Sequence, residues 1–594
     1  MQDGRSEVPW TVSAELDGQA EEWVPWAGLP LREIVASPDG SGEGDIGGSA
    51  GAAGPLAAHA VAGATEVGFG GLERRFLLAH PLASDTPTTA VHFWRGAVNS
   101  YRFGFGLSRN LIGPWSFDMR MNARSAPGRF WEYRQQVNDM YGPRGRPQGL
   151  PYQGQGPGQD DVRWEATGSR SLPGGRLDFG WNWVDDQRGV PDPRSNWDSL
   201  RPKHEAYTSR SGLFGRLELE REAWSLQASA RRESRDWSLP SWSDTGDWAE
   251  ALGSETVQAG AARLGWGPRD TRLFLEGSYE GLDGSADVPR TGVAFADDVR
   301  ETRSRAGASF QANRGILSLD AGGGWNRLAP FSGQDLSALD MRGGVRCGTD
   351  SAHALARWSR SALLPGFAEL MRPDVFRPRL ETSELEAETR DRAEVRAFWG
   401  TRGFSAEIGG AFLSIENGIR PEVLPSADAP ERVPRALALR SVNRGGTIRG
   451  FSTDAALHAS WRWLLASTKV GFGRTGLPGE PLGGEPDLSE PQWRTRSSVG
   501  WSAELLPGRF RASSSLSLST WSESWIYVPS GADEASLQEL PASWGLDFEA
   551  RCEIRTFEIF WRMENMGDKK QYVLPGWTPL GLRAGWGVVW SFGG

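Results

Sequence analysis

Six histidines, His59, His80, His92, His204, His353 and His458, are the side chains best suited to hold a transition metal. None stands at ligand spacing from another, or from Cys347 or Cys552, so no metal site is expected. No Gly-x-Ser-x-Gly, Walker or zincin motif supplies a nucleophile, phosphate cradle or metal-bound water. Carboxylates occur throughout, so no pair of them stands out as an acid and base. The sequence therefore predicts neither an enzyme nor a cofactor. The two cysteines lie far apart and read as unpaired. What remains is chemistry of charge and of aromatic faces. Arg102, Asp118, Arg120, Arg163, Glu165, Arg176, Asp178, Arg216, Glu218 and Arg583 fall on the polar side of alternating segments. "RDWSLPSWSDTGDW" sets Trp237, Trp242 and Trp248 beside Asp236, Asp244 and Asp247, and "STWSESWIYVP" adds Trp521 and Trp525. Indole faces beside carboxylates can hold a sugar ring by stacking and hydrogen bonding.

The elements that must position these residues are strands. "RLDFGWNWV" places Leu177, Phe179, Trp181 and Trp183 on one face and Arg176, Asp178, Gly180 and Asn182 on the other. "WSFDMRMN" does the same with Trp115, Phe117, Met119 and Met121 opposite Asp118 and Arg120. "VGWSAELLPGRFRASSSLSL" is a whole hairpin turning at Leu506–Arg509. The closing "LGLRAGWGVVWSFGG" carries Leu582, Trp586, Trp590 and Phe592 on a continuous apolar face and Arg583 on the other.

Connections alternate in length. Short ones fall near 110–114, 171–175, 221–223, 268–270, 348–351, 401–402, 506–509 and 555–556. Long polar ones fall near 125–160, 185–205, 236–255, 281–300, 362–387, 417–440, 475–492 and 522–540. Short turns at one end and long loops at the other are the signature of an outer-membrane barrel. No run of about 18 apolar residues suggests a membrane helix. A chain with 29 tryptophans and 76 glycines, 38% hydrophobic overall, suits an aromatic-girdled barrel better than a soluble enzyme. A propeller would repeat at a fixed period, and none is visible. The formal charge of -10 argues against nucleic acid as a partner.

The expected fold is therefore all-β: a closed antiparallel transmembrane β-barrel of roughly 22 strands, with short periplasmic turns and long extracellular loops. The chain divides into an N-terminal periplasmic segment, 1–85, partly low in complexity, and a barrel, 86–594. Trp181, Trp183, Trp586, Trp590 and Phe592 are expected at the membrane girdle. Arg102, Asp118, Arg120, Arg176, Asp178, Arg216 and Arg583 are expected to line the lumen, giving a mildly selective pore. Trp237 and Trp521, near the strands, read as girdle residues or as packing among the loops; Trp242 and Trp248, deeper in their loop, read as ligand contacts. No secretory signal follows Met1, which reads as a chain whose signal has been removed.

Several segments, taken in order, resemble the TonB-dependent receptor family of outer-membrane transporters. "RWSRSALLPGFAEL" from Arg357 resembles a barrel strand and the loop after it, and "LEAETRDRAEVRAFWGTRGFSAEIGGAFLSIENGI" from Leu385 resembles the next hairpin. "SVNRGGTIRGFSTDAAL" resembles the strand that follows, around Asn443 and Gly450. "FEIFWRMENMGDKKQYVLPGW" resembles the penultimate strand and its loop, and "GFGGLERRFLLAHP" from Gly68 resembles the strand ending the family's plug. The resemblance implies uptake of a nutrient solute, such as a metal chelate or glycan, across the outer membrane of a Gram-negative-type envelope. It implies the lipid bilayer and the barrel-assembly machinery as partners, and TonB or accessory outer-membrane or periplasmic proteins as others. Residues 1–85 are short for the family's plug, and no segment there reads as a TonB-contacting box. A passive porin, or a partner-gated barrel anchoring a surface or secretion complex, is the alternative.

Overall fold

The computed structural model describes residues 88–95, 101–110, 115–126, 159–191, 202–242, 248–268, 270–287, 299–329, 335–349, 351–364, 385–401, 403–423, 439–443, 445–476, 492–529, 535–568 and 582–592. The described elements are strands, and 22 of them form one antiparallel sheet. Its first described strand is Thr88–Arg95. Each strand pairs with its predecessor and successor around the sheet. Thr88–Arg95 pairs on one side with Tyr101–Asn110 and on the other with the last strand, Arg583–Phe592. A strand bonded on both sides presents no unpaired backbone row. In hydrocarbon, where no water can satisfy a free N–H or C=O, that is what a spanning sheet requires.

Side-chain alternation gives this sheet two unlike faces. On one lie exposed apolar residues: Leu213, Trp266, Leu275, Trp325, Val395, Ile408, Val499 and Trp586 among them. Ile408 is 63% exposed although its strand, Phe404–Glu416, is paired along both edges. So large an uncovered apolar surface does not survive in water and calls for a lipid solvent. The other face carries arginines, carboxylates, serines and glycines. Its buried apolar residues are few, with Leu328, Phe560, Ile415 and Phe274 among them.

Among the described residues, expected short turns are found at 173–174 and 555–556. Two more occur at Gly315–Ile316 and Arg462–Trp463. At the first of these, Gly315 takes φ +62°, a left-handed conformation that glycine adopts without the steric cost of a Cβ.

Three of the expected long loops lose residues to the strands that flank them. Strands Pro202–Glu220, Trp224–Trp242 and Trp248–Trp266 each run 19 residues. At about 3.3 Å per residue that is roughly 60 Å, twice a hydrocarbon thickness of about 30 Å. Pairing continues to Trp242↔Trp248, so strands take up 236–242 and 248–255 of the expected loop 236–255. The segments 185–205 and 281–300 likewise give up both ends to strands. Backbone pairing does not stop where lipid stops, but apolar alternation does, so polar composition overstates the length of these loops. Two other loops contain hairpins of their own, Ile419–Val423 with Leu439–Asn443 and Ser524–Pro529 with Ala535–Leu540. The expected segment 1–85 lies outside the described residues.

Candidate functional site: the polar wall

On the polar face, period-two alternation brings residues i and i+2 together, and the sequence exploits this with opposite charges. Arg176 Nε lies 2.6 Å from Asp178, Arg303 Nε 3.0 Å from Glu301 and Arg562 Nε 3.3 Å from Glu564. Arg216 pairs with Glu218, Arg390 with Glu388 and Arg551 with Glu549 in the same way. Other pairs cross between strands. Arg231 reaches over Ala259 of the neighbouring strand to Glu280, 2.8 Å away, which the small alanine side chain permits. Arg263 meets Glu276 at 3.0 Å, and its guanidinium lies 3.6 Å from the Phe274 ring centroid. Arg396 joins Glu407 at 2.7 Å.

Among the described charges only Glu388 is more deeply buried than Asp340, which is 2% exposed. One carboxylate oxygen accepts the Ala362 backbone N–H at 2.9 Å. The other accepts from Asn326 and stands 3.3 Å from Arg305. Strands Leu336–Gly348 and Ala352–Leu363 pair only as far as Met341↔Arg360. Beyond that point the Asp340 carboxylate takes over the bond to Ala362 that a strand carbonyl would have made.

Of the residues expected to line the lumen, Asp118 and Asp178 are buried, and Arg176 and Arg216 make the pairs just described. Arg102, Arg120 and Arg583 fall on described strands, with their side chains outside the described residues. Trp181, Trp586, Trp590 and Phe592 are exposed and Trp183 is half-buried, all on the apolar face.

Two aromatic expectations need correction. Trp237, expected at the girdle or packed among loops, is instead on a strand, 3% exposed, with its Nε1 donating to Glu255 Oε1 at 3.0 Å. Its strand exposes even-numbered residues such as Trp224, so Trp237 belongs to the polar face. The alternation of "WSLQASA" carried forward without interruption would have shown this. Trp521, half-buried, likewise shares a face with its register partner Arg494, opposite the exposed Leu516 and Leu518. Trp242 and Trp248 are not loop residues: they end their strands as register partners, with side chains outside the described residues.

Sequence inspection also missed a serine-lined sector. Phe404–Glu416, Thr447–Trp461, Leu464–Thr475, Trp493–Leu506 and Phe510–Trp521 are neighbours in the sheet. A recess of about 640 Å³ there is lined by Ser405, His458, Ser467, Ser498, Ser502 and Ser513, among others. Ser467 and Ser498 share a hydroxyl–hydroxyl hydrogen bond of 2.6 Å. Short side chains on adjacent strands are what leave the space.

No protein-family profile matches the chain, and no curated protein does. Solved structures do. The FrpB iron transporter from Neisseria meningitidis (F5-1 variant) superposes with a TM-score of 0.66 at 11% identity, over 90% of this chain and 87% of that one. The siderophore receptor PirA from Acinetobacter baumannii gives 0.65 at 11% identity, over 87% and 82%. The ferric enterobactin receptor PfeA from Pseudomonas aeruginosa, in its complex with BCV-L6, gives 0.63 at 12%, again over 87% and 82%. The fold is that of the TonB-dependent receptor barrels.

Proposed function

We propose that this chain is an outer-membrane transport barrel, with residues 86–594 as its wall and residues 1–85 as a reduced plug, passing a nutrient solute inward. The single observation that carries the reading is the two-faced wall. One face is apolar and exposed, and the other is laced with arginine–carboxylate pairs such as Arg396–Glu407 and Arg263–Glu276. Such a sheet fits a bilayer outside and a hydrated passage inside. Turned the other way, it would set ion pairs in lipid at several kcal/mol each, roughly, and hydrocarbon in water. The apolar face then meets lipid through Trp181, Trp183, Trp586, Trp590 and Phe592. Arg102, Asp118, Arg120, Arg176, Asp178, Arg216 and Arg583 line the lumen. The three similar structures bear the names of an iron transporter and two receptors, of a siderophore and of ferric enterobactin. Those names favour a metal chelate over a glycan as cargo, and TonB as the partner that energises its passage.

The test is uptake of radiolabelled ferric chelates by cells expressing or lacking the chain, with and without TonB. Loss of uptake in both deletions supports energised transport. Uptake that needs the chain and not TonB replaces it with passive passage. Uptake that needs neither overturns the transport reading.

A further inference from the structure

On the apolar face of strand Trp224–Trp242, Trp224, Leu226, Ala228 and Ala230 are followed by Arg232, Ser234 and Asp236. The neighbouring strands change within one row of it. Leu217, Gly215 and Leu213 give way to Ser211 and Ser209, and Leu264, Ala262 and Gly260 give way to Gln258, Thr256 and Ser254. Arg232 is thus the first polar residue past the apolar band of its strand. It stands eight residues from Trp224. That is about 26 Å along the strand and roughly 20 Å in height at a tilt of about 40°, against an apolar band about 25 Å tall. Its register partner Leu213 is 60% exposed, and Trp181 continues the same row. An exposed guanidinium therefore sits where hydrocarbon gives way to the polar layer of a bilayer, on the side away from the lumen.

Three other arginines past the apolar band have carboxylate partners on this face. Arg300 lies 3.7 Å from Asp283, Arg360 lies 3.7 Å from Asp391, and Arg327 pairs with Asp335. Arg232 is exposed and takes no part in the hydrogen bonds, ion pairs or ring contacts among the described residues. The nearest carboxylate on its own strand face, Asp236, is four residues on, about 13 Å away. Its row offers Gln258 instead, and the row beyond offers Ser211, Ser234 and Thr256, the last two with hydroxyls 3.4 Å apart. On the apolar side the next row is Gly215, Ala230 and Gly260, bounded by the exposed rings of Phe179 and Tyr279. A Cβ added at Gly215 or Gly260 would meet only a backbone oxygen, at 4.0 or 3.8 Å, so this row is an open trough.

We infer that Arg232 holds the phosphate of a phosphorylated glycolipid lying against the outer side of the wall. The guanidinium donates two parallel charge-assisted bonds to the phosphate, and the Gln258 amide donates to a further oxygen. Acyl chains run down the trough between Phe179 and Tyr279, and sugar hydroxyls meet Ser211, Ser234 and Thr256 on the other side. Acyl, phosphate, sugar is the order in which this surface passes from apolar to cationic to hydroxylated. A lipid is the source of the phosphate because it alone brings hydrocarbon to the trough and charge to Arg232 together. The adjoining acyl layer, low in dielectric constant, strengthens the pair relative to one in open water. The site rests on the apolar face meeting a bilayer, as proposed above, and is independent of what passes through the lumen.

The experiment titrates the full chain in nonionic detergent with diphosphoryl lipid A and reads retained lipid by native mass spectrometry. Arg232→Gln should weaken retention at least about fivefold. Arg232→Lys, which keeps the charge and loses the fork, should fall between that variant and the wild type. Arg170→Gln removes an exposed cation from the same face at its opposite end, beside turn 173–174, and should change nothing. Excess inorganic phosphate should leave retention intact. Equal retention by the wild type and Arg232→Gln, or equal loss in Arg232→Gln and Arg170→Gln, overturns the site. Displacement by inorganic phosphate overturns a lipid as its occupant. Phosphatidylglycerol retained as tightly as lipid A overturns the part given to the hydroxyls. Insertion of the same proteins into phosphatidylcholine vesicles separates this site from the function proposed above. A chain that inserts and retains no glycolipid loses the site and keeps the barrel, and a chain that does not insert loses both.

Discussion

Trp237 and Glu255 hold two neighbouring strands together from the polar side: the indole Nε1 donates to the Glu255 carboxylate at 3.0 Å, and both side chains are buried. The register partner of Trp237 is Gly253, and the ring lies across it so closely that a Cβ there would fall inside the ring. Glycine at 253 and tryptophan at 237 are therefore one device. Trp237→Phe removes the donor and leaves a buried acceptor short of one bond, at a cost of about 1–3 kcal/mol. Gly253→Ala should do comparable damage by displacing the ring. Urea unfolding of the reconstituted barrel reads the stability, and near-ultraviolet circular dichroism reads the ring. An unchanged spectrum in the alanine variant would show that the ring does not rest on Gly253.

Asp340 supports a prediction about the point where two strands part. Its carboxylate serves Ala362 N–H, Asn326 and Arg305 together. Asp340→Ala removes a carboxylate from beside the Arg305 guanidinium and the acceptor of a buried backbone donor, and should cost about 3–5 kcal/mol. Asp340→Asn keeps an acceptor for Ala362 and should cost less. Coupling between Asp340→Asn and Arg305→Gln, measured in a double-mutant cycle, should exceed about 0.5 kcal/mol. Additive effects would show that the 3.3 Å approach contributes nothing.

The two-faced wall makes a directional claim. An arginine placed at Ile408, on the apolar face, should cost about 2–4 kcal/mol if that site lies near mid-membrane. An arginine at Ser515, on the polar face two strands beyond the Lys469 strand, should stay within about 1 kcal/mol of the parent. Because alternation has period two, a register displaced by one residue would exchange these two results. Equilibrium unfolding in lipid vesicles distinguishes the two registers.

How much of this could be read from sequence followed from where the alternation was apolar. Trp115–Met121, Leu177–Trp183 and Leu582–Phe592 announce their strands, because lipid demands a hydrophobic residue at every second place. Past the membrane that demand ends, and the outer parts of the strands around Trp237 and Glu255 looked like loop. Trp237 falls on the polar face for the same reason: it lies seven residues past Ala230, an odd step along a period-two strand that sets it opposite Trp224 and Ala230.

The last prediction concerns residues 1–85, which we propose fill part of the lumen. A barrel of 22 strands with nothing inside would enclose a wide aqueous channel, which a cell envelope does not tolerate. The ion-pair ladders line that channel and keep it hydrated. Against the 65 basic residues of the whole chain, the first 85 supply four, Arg5, Arg32, Arg74 and Arg75, and they supply thirteen of its 75 carboxylates. The N-terminal segment thus holds nine of the ten net negative charges, and the rest of the chain is close to neutral. Deleting residues 1–85 should leave an assembled barrel, recognisable by its heat-modifiable migration, and raise single-channel conductance in a planar bilayer severalfold. Its ion selectivity should also move toward anions, because a block of fixed negative charge has left the passage. If the full chain already conducts as widely as the deletion, the segment lies elsewhere and the barrel is an open porin. If neither conducts, the outer segments of the barrel block it, and an anchoring role replaces transport.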